Sequence, residues 1–171
     1  MEKKGVKGMT LAKQRPRGLT RLLAKLPLLL YRVGLGWLLG KLFVQITHRG
    51  RKSGRIRQTV LEVLRYDRRT HEVVVVSGWQ GRTDWYRNIQ REPALWVTIG
   101  RISYRPAQEL LSPEETYAVV REVLRRRPRE AKALGAVLGI DFTAPDAEAQ
   151  VTRLFRGVRF WPAYLSRQDD K

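Results

Sequence analysis

The sequence predicts an α+β domain built on a small antiparallel barrel or strongly curved sheet, with helices packed outside it. Short apolar segments separated by turns fill residues 43–110, and helical segments follow from residue 112 onward. Strands joined by short turns favour antiparallel pairing, because a parallel pair needs a long crossover, usually a helix, between its strands. The 171 residues, 43% of them hydrophobic, suffice for one domain with a proper core.

The strands are predicted from short apolar segments rich in valine, leucine and isoleucine. They cover Phe43–His48, Arg55–Tyr66, Glu72–Ser77, Leu95–Ile99 and Ile102–Leu110. Four consecutive valines in the third segment predict a strand inside the sheet, and Gly100 with Arg101 fits a hairpin turn. A closing strand is predicted over Arg159–Ser166, where the proline is best tolerated at a sheet edge.

Helices are predicted from their start and stop signals. Asp84 can cap a short helix to about Arg91, and Ser112, followed by a proline and two glutamates, starts a helix to about Arg127. Two further helices are expected at about residues 130–138 and from residue 146 to residue 157.

The N-terminal part of the chain is basic and divides into two segments. Residues 1–18 are predicted to be a flexible basic arm, and residues 19–42 an amphipathic helix with leucines at helical spacing. Pro27, Arg32 and Lys41 interrupt the apolar run well short of the ~20 residues that a membrane-spanning helix needs. Two roles remain open for this helix: lying peripherally on the inner face of the cell membrane, or covering the domain. Residues 43–171 then form the barrel domain with its C-terminal helices, in a cytoplasmic protein.

The composition excludes several chemistries. The chain has no cysteine, so thiol nucleophiles, disulfides, iron–sulfur clusters and cysteine-bound zinc are excluded. Its two histidines, His48 and His71, are far apart in sequence and are interpreted as structural, so no metal site is predicted.

Positive charge is concentrated in the first part of the chain. The net charge is +18, and residues 1–69, with 18 Lys and Arg against 3 Asp and Glu, hold +15 of it. Such a field indicates an anionic partner: nucleic acid, an acidic membrane or a phosphorylated ligand. A nucleic-acid-binding protein without catalysis is therefore one hypothesis, but the sequence has no recognisable nucleic-acid-binding motif and no specific nucleic acid is expected.

A glycine-bounded turn is the first chemically informative segment. Arg51, Lys52 and Ser53 lie between two glycines, the second of which is Gly54, and Arg57 follows in the next strand. Glycine allows several backbone N–H groups to point the same way, and the side chains add charged and neutral donors suited to a phosphate or carboxylate. The alternative is a solvated basic hairpin tip.

The second informative segment, residues 77–88, follows the valine-rich strand. Its glycines would let a flat ring approach the backbone, and its indoles and neutral polar groups could bind such a ring. The residues concerned are Ser77, Gly78, Trp79, Trp85 and Asn88. The alternative is that Trp85 and its neighbour Tyr86 are core aromatics of a short helix.

These two segments, in this order and spacing, resemble a known family. Gly-Arg-Lys-Ser-Gly-x-x-Arg, an apolar strand, Ser-Gly, then Asp-Trp-Tyr-x-Asn-Ile and Glu-Pro are similar to the deazaflavin-dependent nitroreductase and quinone reductase family. The resemblance covers residues 30 to about 111 and implies a split β-barrel related to FMN-binding oxidoreductases. It further implies binding of coenzyme F420 and hydride transfer to a quinone, nitro compound or activated alkene, with a dimer expected by family analogy.

The resemblance also assigns the cofactor contacts. It implies that the phosphate-bearing tail lies at the turn and the strand after it, and that the ring lies at the second segment. The residues are Arg51, Lys52, Ser53, Gly54, Arg57 and Thr59 for the first, and Ser77, Gly78, Trp79, Trp85 and Asn88 for the second. No catalytic side chain is assigned, since the chemistry belongs to the cofactor.

Two departures from the family pattern limit this assignment. The strand after the turn reads Arg57-Gln58-Thr59-Val60-Leu61, whereas family members often have proline at the fourth of these positions. Glu62 stands where some branches place tyrosines over the substrate, so their acceptor does not transfer to this chain. FMN remains an alternative cofactor, because the same turn would serve its phosphate.

Overall fold

The computed structural model describes residues 40–129, 135 and 140–167, which form two four-stranded antiparallel sheets with flanking helices. The strands are β1 Phe43–Arg49, β2 Ile56–Glu62, β3 Arg65–Tyr66, β4 Val73–Ser77, β5 Trp96–Ile99, β6 Ile102–Tyr104, β7 Pro106–Leu110 and β8 Arg156–Pro162. The helices are α1 Asp84–Arg91, α2 Pro113–Arg126 and α3 Ala147–Leu154, with short 3₁₀ turns at Trp79–Gly81 and Ala163–Arg167. The predicted α+β class is confirmed.

The two sheets share one core. The first has the order β2-β1-β5-β6 and the second β3-β4-β8-β7. Alternate residues of β1 and β4 point into this core together with one face of α1; its largest fully buried members are Phe160, Ile46, Ile89 and Ile99. Val74 faces the other way and packs with Leu111 and Val119, so both faces of β4 are covered. This explains its unbroken run of valines.

Two predicted strands are each two strands in the structure. The segment predicted as Arg55–Tyr66 divides into β2 and β3, and the segment predicted as Ile102–Leu110 divides into β6 and β7. In both cases the first part belongs to one sheet and the second part to the other. The chain therefore turns a corner between the sheets at these points, and in the second case Pro106, which has no N–H to donate, begins the new strand.

The prediction for the closing strand was wrong in its bounds and its place. It begins at Arg156 rather than Arg159 and lies between β4 and β7, not at an edge. Its proline is tolerated because β4 pairs only as far as Phe160, so Pro162 faces β7 alone. Gly157 belongs to this strand and not to the preceding helix. Glycine is needed at this position because a Cβ would lie 2.8 Å from both Leu111 Cδ1 and Thr116 Oγ1.

The helix predictions are largely confirmed. α1 has the predicted bounds, although Thr83 is its N-cap and Asp84 its first residue. α2 begins with a capping box: Ser112 Oγ accepts from the Glu115 N–H at 3.1 Å, and the Glu115 carboxylate accepts from the Ser112 N–H at 2.9 Å. α3 ends at Leu154, three residues before the predicted end.

Some predicted segments lie outside the described residues. They are the basic arm 1–18, the helix 19–42 up to residue 39, and most of the helix at 130–138. Residues 40–42 form a turn that leads into β1, with Gly40 in the left-handed region at φ +60°. Among the helices that the structure describes, none has the length and apolar character needed to cross a bilayer.

Candidate functional site

The cationic turn, residues Gly50–Gly54, connects β1 to β2 at one end of the first sheet. Two backbone bonds close it: Gly50 N–H donates to Arg55 O, and Gly54 N–H donates to Gly50 O, both at 2.8 Å. Gly54 has φ +66°, a conformation that side chains disfavour. The turn is therefore a defined loop whose second glycine is required by its backbone geometry.

The space above Gly50 is filled by side chains of the turn and of β2. A Cβ at this position would lie 3.0 Å from Ser53 Oγ and 3.2 Å from Arg57 Nε. The hydroxyl and the guanidinium therefore converge over the backbone of the turn.

Arg51 has a different environment from its neighbours, because it ties the turn to α1. Its backbone N–H and its Nη1 both donate to Asn88 Oδ1 at 3.0 Å, and its Nη2 lies 2.9 Å from Asp84 Oδ1. The guanidinium of Arg91 donates to the Arg51 carbonyl at 3.1 Å. Arg51 thus positions the turn, and its charge is already balanced by a carboxylate.

A pocket of about 300 Å³ lies between the turn and α1. It is lined by Gly50, Arg51, Lys52, Ser53, Arg57, Asp84 and Asn88. The Arg51 guanidinium, with smaller contributions from Lys52 and Arg57, lowers the pKa of Asp84, which keeps this carboxylate ionised. Within the described chain, Lys52 and Arg57 have no carboxylate at ion-pair distance. Three cationic groups against one carboxylate leave the pocket with a net positive charge.

A buried polar chain continues from the turn into the first sheet. Asn88 Nδ2 donates to His48 Nδ1 at 3.2 Å, and His48 Nε2 lies 3.2 Å from Thr59 Oγ1. His48 and Asn88 are both almost fully buried, and Thr59 is half-buried. Sequence reasoning missed the place of His48 in this site. The available signal was its position, because it shares the inward face of β1 with Val44 and Ile46.

The loop of the second segment, residues 78–83, exposes one indole and one open glycine. Trp79 is 73% exposed, and both it and Gln80 have left-handed backbones, with φ of 50° and 60°. Gly78 has ordinary extended backbone, and among the described residues nothing lies within 4 Å of the place where its Cβ would be. Non-glycine residues held with positive φ are concentrated in functional loops.

Two residues of the second segment have structural roles. Ser77 is buried, and its Oγ lies 2.6 Å from Thr83 Oγ1, which closes the base of the loop. Trp85 belongs to the hydrophobic core and packs edge-to-face against Tyr86 with centroids 5.7 Å apart. The structure thus places Trp85 where the core-aromatic alternative put it.

The structure brings the two sequence segments together through α1. Five predicted residues line the pocket: Arg51, Lys52, Ser53, Arg57 and Asn88. Gly54 closes the turn, and Thr59 joins the pocket through the polar chain. Gly78 and Trp79 do not line the pocket. They lie on the loop that ends beside Asp84, and Asp84 does line the pocket. Asp84, predicted only as a helix cap, is a further pocket residue that was not assigned to the site from the sequence.

The fold and the pocket together define a class of protein. In the described part of the chain, no group of three His, Asp or Glu side chains could hold a metal ion. What the site offers is a cationic, donor-rich pocket at the end of a two-sheet antiparallel barrel, suited to a phosphorylated ligand. Such a fold and pocket agree with what the sequence resemblance implies, a split-barrel protein that binds a flavin-type cofactor.

Comparison with known proteins gives the family. The family model for "F420H(2)-dependent quinone reductase" matches residues 32–133, more than half of the chain. The chain therefore belongs to the F420H(2)-dependent quinone reductase family and is an F420-dependent oxidoreductase. No curated protein sequence matches it significantly.

Solved structures with a similar chain trace have low sequence identity to this protein. An F420-H2 dependent reductase, FDR-A, is 18% identical with a TM-score of 0.48, over 71% of this chain and 95% of that chain. A structure described as a domain-swapped dimer is 17% identical with a TM-score of 0.48, over 78% and 98%. An FMN-binding protein related to pyridoxamine 5'-phosphate oxidase, from Nostoc punctiforme, is 10% identical with a TM-score of 0.42, over 90% and 83%. The family assignment rests on the family-model match.

Proposed function

We propose that the pocket at the cationic turn holds the phosphate-bearing tail of coenzyme F420, and that the chain uses the reduced cofactor to reduce a quinone. The observation that supports the first part is the convergence of Ser53 and Arg57 over Gly50, beside a lysine without a counter-ion in the described chain. A phosphate takes charged and neutral donors together, and this pocket supplies both.

The phosphate contacts are assigned to the side chains that are free to make them. Lys52 and Arg57 supply charge, and Ser53 supplies a neutral donor. In the part of the chain that the structure describes, the backbone N–H groups of Lys52 and Ser53 have no hydrogen-bond acceptor, so the turn offers them to an anion as well. Arg51 and Asn88 hold the turn against α1 rather than binding the phosphate themselves.

The ring end of the cofactor is assigned to Gly78 and Trp79. Gly78 leaves open space beside its backbone, and the exposed indole of Trp79 offers a flat apolar surface. The loop that carries both ends at Thr83, directly before the pocket residue Asp84. Ser77 and Trp85 support this loop and the helix after it from below.

The chemistry comes from the cofactor: reduced F420 supplies a hydride to the acceptor. The residues of this chain would bind and orient the cofactor, and the indole of Trp79 would cover one face of its ring. No side chain is assigned a covalent role.

The acceptor is proposed to be a neutral quinone, in keeping with the description of the family. Glu62, at the end of β2, is exposed and lies 3.5 Å from Arg127 at the end of α2. Its charge is therefore partly balanced, and Glu62 is assigned no contact with the acceptor. Nitro compounds and activated alkenes are the alternative acceptors.

The test combines binding with turnover. The full-length protein is titrated with F420 and, separately, with FMN, and the reduced complex is mixed with a neutral quinone, a nitroaromatic and an enone. We expect binding of F420 in preference to FMN, and faster oxidation by the quinone than by the other two. Binding of FMN alone, or no binding of either cofactor at low salt, would overturn the cofactor assignment. Preferred reduction of the nitroaromatic or the enone would overturn the acceptor.

A further inference from the structure

The buried hydrogen bonds that link Asn88, His48 and Thr59 have a defined donor-to-acceptor direction. Asn88 Oδ1 accepts two donors of Arg51, its backbone N–H and its Nη1, both at 3.0 Å. Turning the amide over would place the Asn88 NH₂ against these two donors, so the oxygen must face Arg51. The NH₂ group therefore faces His48, and it can only donate.

The direction of the Asn88 amide fixes the tautomer of His48. Because the NH₂ group donates to Nδ1 at 3.2 Å, Nδ1 must be the unprotonated nitrogen. A neutral imidazole then has its proton on Nε2, which lies 3.2 Å from Thr59 Oγ1 and donates to it. The hydroxyl of Thr59 is left with its own O–H to donate, and within the described residues no acceptor takes that proton.

Thr59 presents this O–H on the face of β2 that also carries Arg57. The register of β1 and β2 pairs His48 with Arg57 and Ile46 with Thr59, so all four side chains are on the same face. Arg57 lines the anion pocket, and Thr59 is the next residue along that face and is half-buried. A neutral donor is thereby held beside the cationic one.

We propose that His48 is a positioning residue that, as a neutral Nε2–H tautomer, directs the Thr59 O–H toward the bound cofactor and couples it to the cationic turn. This inference rests on the proposed function, because it is the F420 site that Thr59 would serve. It concerns a histidine that we interpreted from the sequence as structural only.

Protonation of His48 would break the series of hydrogen bonds from Asn88 to Thr59. A proton on Nδ1 would meet the Asn88 NH₂ group, and the amide cannot turn over without losing its two bonds to Arg51. Burial lowers the pKa of His48, and Arg57 opposite it on β2 lowers it further. The backbone at Arg49 and the carboxylate of Asp84 on α1 act in the other direction. Neutral His48 is thus the form that this environment holds above pH 6.5, its ordinary pKa.

The first test needs no cofactor. Long-range ¹H–¹⁵N correlation spectra of the full-length protein report the tautomer of each imidazole, and the chain has only two histidines. The variant His71→Asn assigns the signals, since asparagine tolerates the positive φ of 58° at that position. We expect His48 to be neutral with its proton on Nε2 at pH 7.5. A proton on Nδ1, or a charged ring at that pH, would overturn the proposal whether or not F420 binds.

The second test measures the Kd for F420 between pH 5 and pH 8. His48→Gln keeps an acceptor for Asn88 and a donor for Thr59 but does not titrate, whereas His48→Leu removes both. At a pH where the ¹⁵N spectra show the His48 ring charged, we expect the wild-type Kd to be raised about three- to tenfold relative to His48→Gln, with near-equal values at pH 7.5. Any titration of the cofactor itself is common to both proteins and cancels in this ratio.

Two further variants separate positioning from a general structural role. His48→Leu and Thr59→Val should each raise Kd about three- to tenfold at pH 7.5, and the double variant should raise it no further than either alone. Additive effects, or equal Kd values for the wild type and His48→Gln at a pH where the His48 ring is charged, would overturn the coupling. If no variant, nor the wild type, binds F420, the proposed function fails, while the tautomer measurement still decides the state of His48. His71→Asn is the matched histidine control and should leave Kd unchanged at every pH.

Discussion

Arg51 Nη2 lies 2.9 Å from Asp84 Oδ1, and this ion pair joins the cationic turn to the first turn of α1. Around it, the same guanidinium donates to the Asp84 carbonyl at 3.3 Å and to Asn88 Oδ1 at 3.0 Å. An arginine of the expected anion motif is thus used to build the site. The charges left for a ligand are those of Lys52 and Arg57.

Replacing Arg51 by lysine should loosen the turn without changing its charge. A single ammonium cannot bind the Asp84 carboxylate and the Asn88 amide in the way a planar guanidinium does. We expect the free energy of unfolding to fall by about 1 kcal/mol, and the Kd for F420 to rise roughly tenfold as the turn becomes less ordered. Urea unfolding and a fluorescence titration measure the two effects. Lys52→Arg is the control for stability, which it should leave unchanged; wild-type values for Arg51→Lys in both measurements would contradict its anchoring role.

Removing Arg57 should weaken cofactor binding with little effect on folding. The side chain is exposed and has no carboxylate partner in the described chain, so its loss costs mainly the contact with the ligand. Arg57→Ala should raise the Kd for F420 by about 10- to 100-fold, as expected for a charge-assisted hydrogen bond. Arg68→Ala removes the same charge from the exposed turn between β3 and β4. An equal loss of F420 affinity in the two variants would show that only the overall positive charge of the protein matters, and not a contact made by Arg57.

Two glycines of the second segment should respond in opposite ways to alanine. Gly78 has extended backbone with open space around it, so Gly78→Ala should stabilise the fold by about 0.4–1 kcal/mol. The added methyl group should nevertheless raise the Kd for F420, if the ring approaches this backbone. Gly81→Ala should destabilise the protein, because φ is +70° and a Cβ would lie 2.8 Å from Tyr86 Cε1. Thermal unfolding and titration with F420 measure the two effects in both variants. Unchanged F420 affinity in a stabilised Gly78→Ala would contradict the assignment of the cofactor ring to this loop.

Tyr104 should make the protein sensitive to alkaline pH. Its hydroxyl is buried and donates to the His71 carbonyl at 2.8 Å, and burial raises its pKa far above the ordinary value of 10.0. In the unfolded chain the Tyr104 hydroxyl ionises at about pH 10, whereas in the folded chain it stays protonated. The free energy of unfolding therefore falls as the pH rises above that value. Tyr104→Phe should lose about 1 kcal/mol at pH 7.5 but show a shallower decline above pH 10. Urea unfolding at pH 7.5 and pH 10.5 measures this; Tyr164→Phe, at an exposed position, should match the wild type at both.

Much of the fold follows from local signals in the sequence. The start of α2 is an example, because the serine, proline and glutamate of its capping box act on neighbouring backbone groups only. The corners at residues 63–64 and at Arg105 were not predicted, since a strand keeps its apolar pattern while it passes from one sheet to the other. The position of β8 inside its sheet also depends on which strands reach it, and no local pattern records that.

For the site, the sequence by itself determined which chemical groups are present: a glycine-bounded turn of cationic and hydroxyl side chains, and an indole next to a glycine after a buried strand. The tertiary structure alone decided how those groups are used. It directed Arg51 toward α1 and put Trp85 in the core, and it joined His48 to Asn88, 40 residues further along the chain. The physical reason is that a hydrogen bond or ion pair depends on distance and direction in space, and both are set when the two sheets and α1 pack together.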